Sequence, residues 1–284
     1  MIPMMGIAGR QRGVWSLVGN ELNFAFSGSP ALATLSSTRI AFCANGFNKL
    51  RAYDWDGTNW ALAGSELSVS HGSPALAGMT SSRVAFFDST NTQLRAYDFN
   101  GSTWSLVGSG LSIAGTSAAA PALAPLSSSR VAFIDSTNES LRAYDFNGST
   151  WSLVGSGLSI STLGNPALAA LSSTQVALTN GGGTKYLRTY EFNGSTWSLV
   201  GSALTLTGFS EQKICGMTSS RIALADYGQQ LLRAYDWNGS TWAAYGTDFD
   251  TNAATGSEAV TAISQSSIAY INSTDDDLRT YQLR

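Results

Sequence analysis

Six arginines that recur at one position of a repeat are the residues of this chain best suited to chemistry. Each lies in a Leu-Arg-x-Tyr tetrad, and they are Arg51, Arg95, Arg142, Arg188, Arg233 and Arg279. A guanidinium is planar and permanently charged, so it can recognise a carboxylated sugar or a phosphate through two parallel hydrogen bonds. The same group can act structurally, by stacking on tyrosine and pairing with a neighbouring carboxylate. Its presence in every repeat favours the structural interpretation.

Six tryptophans form a second repeated set, and an indole is a good stacking surface for a sugar. They are Trp15, Trp60, Trp104, Trp151, Trp197 and Trp242. Each follows a tight turn, which favours a ring buried between modules with its N–H bonded to a carbonyl. If either set binds a ligand, the sites are multiple and equivalent and act by avidity. The candidate ligand-binding residues are Trp60, Trp104, Trp151, Trp197, Trp242, Arg95, Arg142 and Arg188.

Catalysis needs different side chains converging on one pocket, and this chain instead repeats the same residues. It has one histidine and two cysteines, and Cys43 and Cys215 align with apolar positions of the other repeats. We therefore expect no enzyme, no cofactor and no metal site. Charged residues make up 12% of the chain, with a net charge of −3 and no basic run. No nucleic-acid partner is expected, and no apolar run is long enough for insertion into a membrane.

The elements that position these residues follow from a repeat in which successive tetrads lie 44 to 47 residues apart. A period in this range, sustained over a whole chain, is typical of a modular array. Residues 121–155 show the module as four short runs: A (PALAPL), B (RVAFI), C (LRAYDF) and D (WSLVG). Turn signals separate the runs, and Asn147-Gly148 between C and D predicts a tight hairpin. The link from D to the next A is predicted to span ten to twenty residues.

The two ends of the chain predict how the array closes. Residues 14–18 form a strand D with no A, B or C before it, and residues 259–283 supply A, B and C without D. The predicted fold is therefore all-β: a six-bladed β-propeller with four-stranded blades, closed by the N-terminal strand D joining the C-terminal strands A–C. Residues 14–284 form this single domain, and residues 1–13 form an N-terminal arm.

The repeats and their closure resemble six-bladed β-propellers of the repeat type, in which an N-terminal outer strand completes the last blade as in WD-repeat proteins. The WD dipeptide itself, the kelch double glycine and acidic calcium loops are missing. Repeated Trp, Tyr and Arg with loops rich in Ser, Thr, Gly and Asn are similar to propeller lectins and to the repeat propellers of bacterial and phage genomes. Because fold alone does not define function, this resemblance leaves two hypotheses.

The first hypothesis is a non-enzymatic structural and interaction protein, a bacteriophage virion component such as a decoration, tail or adhesion disc. Its partners would be other protein subunits of an assembly, its localisation the virion or otherwise the cytoplasm, since no signal peptide is seen. The arm would dock it, through Met1, Ile2, Met4, Met5, Arg10 and Arg12. The alternative is a multivalent carbohydrate-binding propeller lectin, whose partners are glycans held in equivalent pockets between blades.

Overall fold

The computed structural model describes residues 13–69, 72–113, 121–134, 137–161, 164–208, 211–252 and 257–284. Within these ranges the chain is all-β, with twenty-four strands in six antiparallel sheets of four. None of the described residues belongs to a helix that could span a membrane. The predicted six-bladed propeller is confirmed.

Each sheet is one blade, and its strands run from the centre of the ring outward in the order A, B, C, D. Blade I contains β2 (Pro30–Ser36), β3 (Arg39–Ala44), β4 (Lys49–Trp55) and β5 (Trp60–Ser68). Blade II contains β6 (Ala75–Gly78), β7 (Arg83–Asp88), β8 (Gln93–Phe99) and β9 (Trp104–Ser112). Blade III contains β10 (Ala122–Pro125), β11 (Arg130–Ile134), β12 (Ser140–Phe146) and β13 (Trp151–Ser159).

The second half of the ring repeats this arrangement. Blade IV contains β14 (Ala167–Ala170), β15 (Gln175–Thr179), β16 (Lys185–Phe192) and β17 (Trp197–Leu206). Blade V contains β18 (Gln212–Thr218), β19 (Arg221–Asp226), β20 (Leu231–Trp237) and β21 (Trp242–Asp250). Blade VI contains β22 (Glu258–Ala262), β23 (Ser267–Asn272) and β24 (Asp277–Leu283), and takes β1 (Trp15–Asn23) as its strand D.

Blade VI joins the two ends of the chain, as the sequence predicts. Strand β1 pairs antiparallel with β24, beginning with Trp15 opposite Leu283. The backbone N–H of Val14 donates to the carbonyl of Arg284 at 3.1 Å, and the N–H of Arg284 donates back to Val14 at 3.0 Å. Gly13 also donates to the Arg284 carbonyl. The outer strand of this blade is therefore held by a ladder of bonds between residues at opposite ends of the sequence.

The innermost strands surround a narrow central channel, in which each strand A contacts strand A of both neighbours. The channel contains a cavity of about 150 Å³ lined mainly by small and branched apolar side chains. A second cavity of about 90 Å³ opens at one mouth, where Pro30, Pro74, Pro121 and Pro166 recur and Lys213 stands where the other blades have alanine. Cavities of this size are smaller than the pockets of about 300 to 1,000 Å³ that usually hold small molecules.

The six strand-D tryptophans lie in the interfaces between blades and are 2% to 6% exposed. Their N–H groups fall into two classes. The Nε1 of Trp60 donates to Oγ1 of Thr280 at 2.9 Å, and that of Trp242 donates to Oγ1 of Thr189 at 3.0 Å. The acceptor is thus a threonine hydroxyl of the preceding blade and not the carbonyl that the sequence suggested.

The other four indoles have a buried N–H with no hydrogen-bond partner among the described residues: Trp15, Trp104, Trp151 and Trp197. In each case alanine of the preceding blade stands where threonine stands for the first two, and it packs in the same apolar cluster as the indole. These alanines are Ala234, Ala52, Ala96 and Ala143. Four interfaces therefore leave a buried donor unsatisfied where the remaining two satisfy it.

Replacing Ala96 by threonine should stabilise the protein. The new hydroxyl supplies an acceptor for the orphaned N–H of Trp151, and a buried hydrogen bond contributes about 1 kcal/mol. Urea unfolding of Ala96→Thr against wild type measures the gain. Ala96→Val is the matched control, because valine has the same shape without the hydroxyl. Equal stability of the two variants would contradict the role given to the hydrogen bond.

Strand D is longer than the sequence suggested. It was predicted to end at the glycine of WSLVG, but it continues past that glycine through a register shift, as where Leu94 pairs with Leu111 and Ala96 pairs with Val107. Gly108 has a φ of 65°, so the glycine forms a bulge and does not end the strand. The links between blades are correspondingly shorter than predicted, at five to nine residues.

The bulge also ties each blade to the next one. The N–H of the residue after the bulge glycine donates to a carbonyl just before strand D of the following blade, which lies in the C–D turn of blades I to V and is Gly13 in blade VI. The six bonds measure 2.7 to 3.0 Å and join Asn20 to Thr58, Ser65 to Ser102, Ser109 to Ser149, Ser156 to Ser195, Ser202 to Ser240 and Thr247 to Gly13. We call these six bonds the outer belt. The belt closes only because Gly13 of the first strand accepts the sixth bond.

Candidate functional site

The chain has two repeated sets of arginines, and the strand-B set makes structural contacts. The Nε and Nη2 of Arg39 donate to the two carboxylate oxygens of Asp54 at 2.5 and 2.7 Å. The guanidinium of Arg39 also lies 5.1 Å from the centre of the Phe99 ring in the next blade. Arg83 and Arg130 repeat both contacts. These arginines therefore combine stacking between blades with pairing to a carboxylate of their own blade.

The tetrad arginines lie nearer the opposite end of strand C, on the face that each blade turns toward the preceding blade. In blade I, the Nε and Nη2 of Arg51 donate to Oε2 of Glu66 at 2.9 and 2.7 Å. The Nη1 donates to the Tyr53 hydroxyl at 3.2 Å. Lys49 lies 3.1 Å from the other oxygen of Glu66, and the Phe47 ring centre lies 4.2 Å from the guanidinium. A cation, a carboxylate and an aromatic ring therefore meet at one place.

An exposed leucine completes this surface. Leu62 stands opposite Tyr53 in the pairing of strands C and D. The same position holds leucine in five blades, and these side chains are 45% to 54% exposed: Leu17, Leu62, Leu106, Leu153 and Leu199. We use the name inter-blade groove for a set of four residues in each blade. They are the tetrad arginine, the tetrad tyrosine, and the third and seventh residues of strand D.

The seventh residue of strand D distinguishes the six grooves. It is acidic in blades I, V and VI, where it is Glu66, Asp248 and Glu21, and it is Gly110, Gly157 and Ala203 in blades II, III and IV. The Nη2 of Arg233 lies 2.9 Å from Asp248, and the Nε of Arg279 lies 3.0 Å from Glu21. Three grooves therefore contain an arginine–carboxylate pair built across strands C and D.

Sequence reasoning missed these carboxylates because it ended strand D at the glycine. A signal was nevertheless present, since Glu21, Glu66 and Asp248 each follow the strand-D tryptophan by six residues. That separation places both side chains on one face of the strand, and the two extra residues of the bulge shift the register so that Glu66 lies beside Arg51. The pair can be recognised only once the bulge is known.

The charge state of the blade I groove follows from its hydrogen bonds. Bonds from Arg51 and then Lys49 lower the pKa of Glu66, so this carboxylate is ionised at neutral pH. The groove therefore presents a charged acceptor beside charged donors, with Leu62 as an apolar neighbour. Arg51 can donate to one hydroxyl group of a ligand while Glu66 accepts from an adjacent one. The groove offers no protonated acid and no activated nucleophile.

The candidates from the sequence are distributed between interface and groove. Trp60, Trp104, Trp151, Trp197 and Trp242 are buried between blades and present no exposed ring face. Arg95, Arg142 and Arg188 occupy the groove position on strand C. The arm residues Met1, Ile2, Met4, Met5, Arg10 and Arg12 lie outside the described residues. Ligand binding by the arginines and docking by the arm both stay predictions.

A buried polar cluster breaks the symmetry at the junction of blades V and VI. Glu258 is 3% exposed and stands where blades I to IV have a proline, at or just before the start of strand A. Its Oε1 accepts a hydrogen bond from the Tyr270 hydroxyl at 2.7 Å. Burial raises the pKa of Glu258 from 4.5 to about 7, and the charge of Asp226 adds to the shift, whereas Lys213 opposes it. Burial also lowers the pKa of Lys213.

Stability should fall as pH rises through neutrality. Because the pKa of Glu258 is raised in the folded state, its contribution is present at acid pH and is lost as the group ionises toward pH 7. Between about pH 5 and about pH 8 the loss is at most about 3 kcal/mol. Urea unfolding across this range measures it, and Glu258→Gln should flatten the dependence. An unchanged slope in that variant would assign the dependence to other groups.

Comparison with known proteins identifies the architecture and no family. No protein-family model matches the chain, and no curated protein matches it. Among solved structures, a fucose-specific lectin from Aleuria aurantia aligns over 92% of this chain and 93% of its own, with 17% identity and a TM-score of 0.60. A mutant of that lectin in complex with alpha-methyl-L-fucoside aligns over 89% and 90%, with 17% identity and a TM-score of 0.58. The SapL1 lectin in complex with alpha methyl fucoside aligns over 76% and 78%, with 19% identity and a TM-score of 0.55.

Proposed function

We propose that this chain is a carbohydrate-binding propeller without enzymatic activity and that it binds saccharides in the inter-blade grooves. The observation that carries the proposal is the half-buried Arg51–Glu66 pair beside the exposed Leu62. The likeness to lectin propellers supports it at the level of the fold. Two of those lectins, 17% and 19% identical to this chain, were solved in complex with methyl fucoside.

The groove suits a saccharide because a sugar ring presents hydroxyl groups on its edge and C–H groups on its faces. Arg51 can donate to a hydroxyl oxygen while Glu66 accepts from a neighbouring hydroxyl, and charge-assisted hydrogen bonds are the stronger kind. Leu62 provides the apolar contact. Blades I, V and VI have the arginine–carboxylate pair, so binding would be multivalent and would gain strength by avidity.

A glycan array followed by titration with methyl α-L-fucoside and the best array ligand tests the proposal. Glu66→Gln removes the charged acceptor of one groove, so we expect one class of site to be lost while the others persist. Asp54→Asn is the matched control: it disrupts the structural pair with Arg39 and should lower stability without changing binding. Absence of any saccharide binding by the folded wild-type protein would overturn the proposal.

The assembly hypothesis is a separate proposal, in which the arm docks the ring onto other subunits of a virion. The exposed leucines on the outer strands would suit such contacts, since they form a repeated apolar feature around the rim. The mass of the native species tests it. A particle of megadalton mass that releases the protein when residues 1–13 are deleted would support it, and a free species near the chain mass of 29.8 kDa would overturn it.

A further inference from the structure

The six inter-blade grooves share an arginine but differ in the carboxylates that surround it. Arg279 in blade VI lies within 3.3 Å of Glu21, Asp275 and Asp277. Arg233 in blade V has Asp248 at 2.9 Å and Asp226 at 3.9 Å. Blades I and II each provide one carboxylate, at 2.7 Å from Arg51 and 3.3 Å from Arg95. A nearly symmetric ring therefore carries grooves of graded charge.

In blade IV, neutral residues stand at two positions where other blades have a carboxylate beside the groove arginine. Ala203 stands where blades I, V and VI have an acid on strand D. Asn180 stands where blades II and V begin the B–C loop with Asp88 and Asp226. Among the described residues, no carboxylate lies within ion-pair distance of Arg188. The undescribed residues in the links beside this blade are 162, 163, 209 and 210, and none of them is acidic.

The neighbours of Arg188 orient its guanidinium without neutralising it. The guanidinium carbon lies 4.5 Å from the centre of the Tyr186 ring. Asn180 fixes the loop that presents this ring, because its Oδ1 accepts from the Tyr186 N–H at 2.8 Å and its Nδ2 donates to Gly182 and Thr184. The cation thus lies over the Tyr186 ring with the Tyr190 hydroxyl as a neutral neighbour, and a planar guanidinium has the geometry that matches a carboxylate. Leu199, 53% exposed, lies in the same groove.

Resting on the proposed function, we propose that the blade IV groove selects an acidic saccharide and binds its carboxylate at Arg188. A uronic or sialic acid residue has this chemistry, since a carboxylate is attached to a sugar ring that can contact Leu199. A guanidinium with no carboxylate of its own forms charge-assisted hydrogen bonds to such a ligand without displacing a partner. The three carboxylates around Arg279 instead repel an anion. The blade IV groove then binds acidic saccharides, and the grooves with an arginine–carboxylate pair bind neutral ones.

Methyl β-D-glucuronide and methyl β-D-glucoside form a matched pair of probes, because they differ only in the carboxylate. We expect calorimetric titration of the wild-type protein to show saturable binding of the glucuronide that weakens with added salt. Arg188→Met should weaken this binding at least about tenfold, as expected for loss of a charge-assisted hydrogen bond. Arg284→Met is the control, because it removes one positive charge at an exposed position outside the grooves, and it should leave glucuronide binding unchanged.

Ala203→Glu provides the decisive variant. It installs at an exposed position of β17 the acid that Glu66 and Glu21 provide in their own grooves. It should abolish glucuronide binding, while thermal unfolding stays as in wild type and the binding of neutral saccharides is retained. If Arg188→Met fails to fold, glucuronide binding by Ala203→Glu alone tests the inference. Glucuronide binding that survives both substitutions would overturn the inference, as would equally effective competition by acetate, which has the carboxylate without the ring.

The failures of the two proposals are distinguishable. Neutral saccharide binding without glucuronide binding in the wild-type protein would overturn the acidic groove and leave the proposed function standing. Absence of binding for every neutral and acidic saccharide on the array would overturn both.

Discussion

A protein lacking residues 1–18 should unfold at far lower temperature than the full chain, or fail to fold. The deletion removes the first half of β1, which supplies the fourth strand of blade VI. It also removes Trp15, which is 2% exposed and packs in one apolar cluster with Tyr281 and Leu283. Removing a buried tryptophan side chain alone costs about 3 to 5 kcal/mol, and the lost strand pairing adds to it. The total is comparable with the whole stability of a typical domain, about 5 to 15 kcal/mol.

Thermal unfolding followed by circular dichroism measures this effect, with a deletion of residues 1–12 as the control. Every closing bond described above involves Gly13 or a residue that follows it in the sequence, so the shorter deletion retains all of them. We expect it to unfold as the full chain does. A protein without residues 1–18 that melted at the wild-type temperature would show that β1 contributes little to the ring.

Gly108→Ala should destabilise the protein by more than about 3 kcal/mol. Two effects add at this position. A φ of 65° is unfavourable for any residue with a side chain. In addition, a Cβ on Gly108 would meet the backbone carbonyl of Ser149, which accepts the belt bond from Ser109. The backbone of blade III cannot move away without breaking that bond.

Gly101→Ala separates the two effects. Gly101 has a φ of 96°, but nothing lies within 4 Å of a Cβ added there. This variant therefore carries only the conformational strain, about 1 kcal/mol. Chemical unfolding of both variants gives the contribution of the belt contact as their difference. Similar losses in the two proteins would show that the belt adapts to an extra methyl group.

The architecture was predictable because its signals are local and repeated. Asn147-Gly148 marks a hairpin wherever it occurs between alternating strands, and the run 130–134 has the composition of a buried strand. Closure was also predictable, since a lone strand D and a lone A–B–C set can only complete each other. None of these inferences required knowledge of how two blades pack together.

The grooves were not predictable because they depend on contacts between distant residues. Ending strand D at Gly64 hid Glu66, and only the bulge brings that carboxylate to Arg51. The bond from Trp60 to Thr280 joins residues 220 positions apart, which no local pattern reveals. The two arginine sets look alike in the sequence, and only the register of strands B and C shows that Arg39 is the one facing Asp54.

Closure through the last blade also decides which grooves are neighbours. Blades V and VI are adjacent, and because β1 completes blade VI, blade I follows it directly around the ring. The three grooves with a strand-D carboxylate, at Asp248, Glu21 and Glu66, therefore occupy one continuous arc, and blade IV borders that arc. The rim of the disc therefore has two unlike halves: one half carries all three grooves with a strand-D carboxylate, and in the other half glycine or alanine stands at that position.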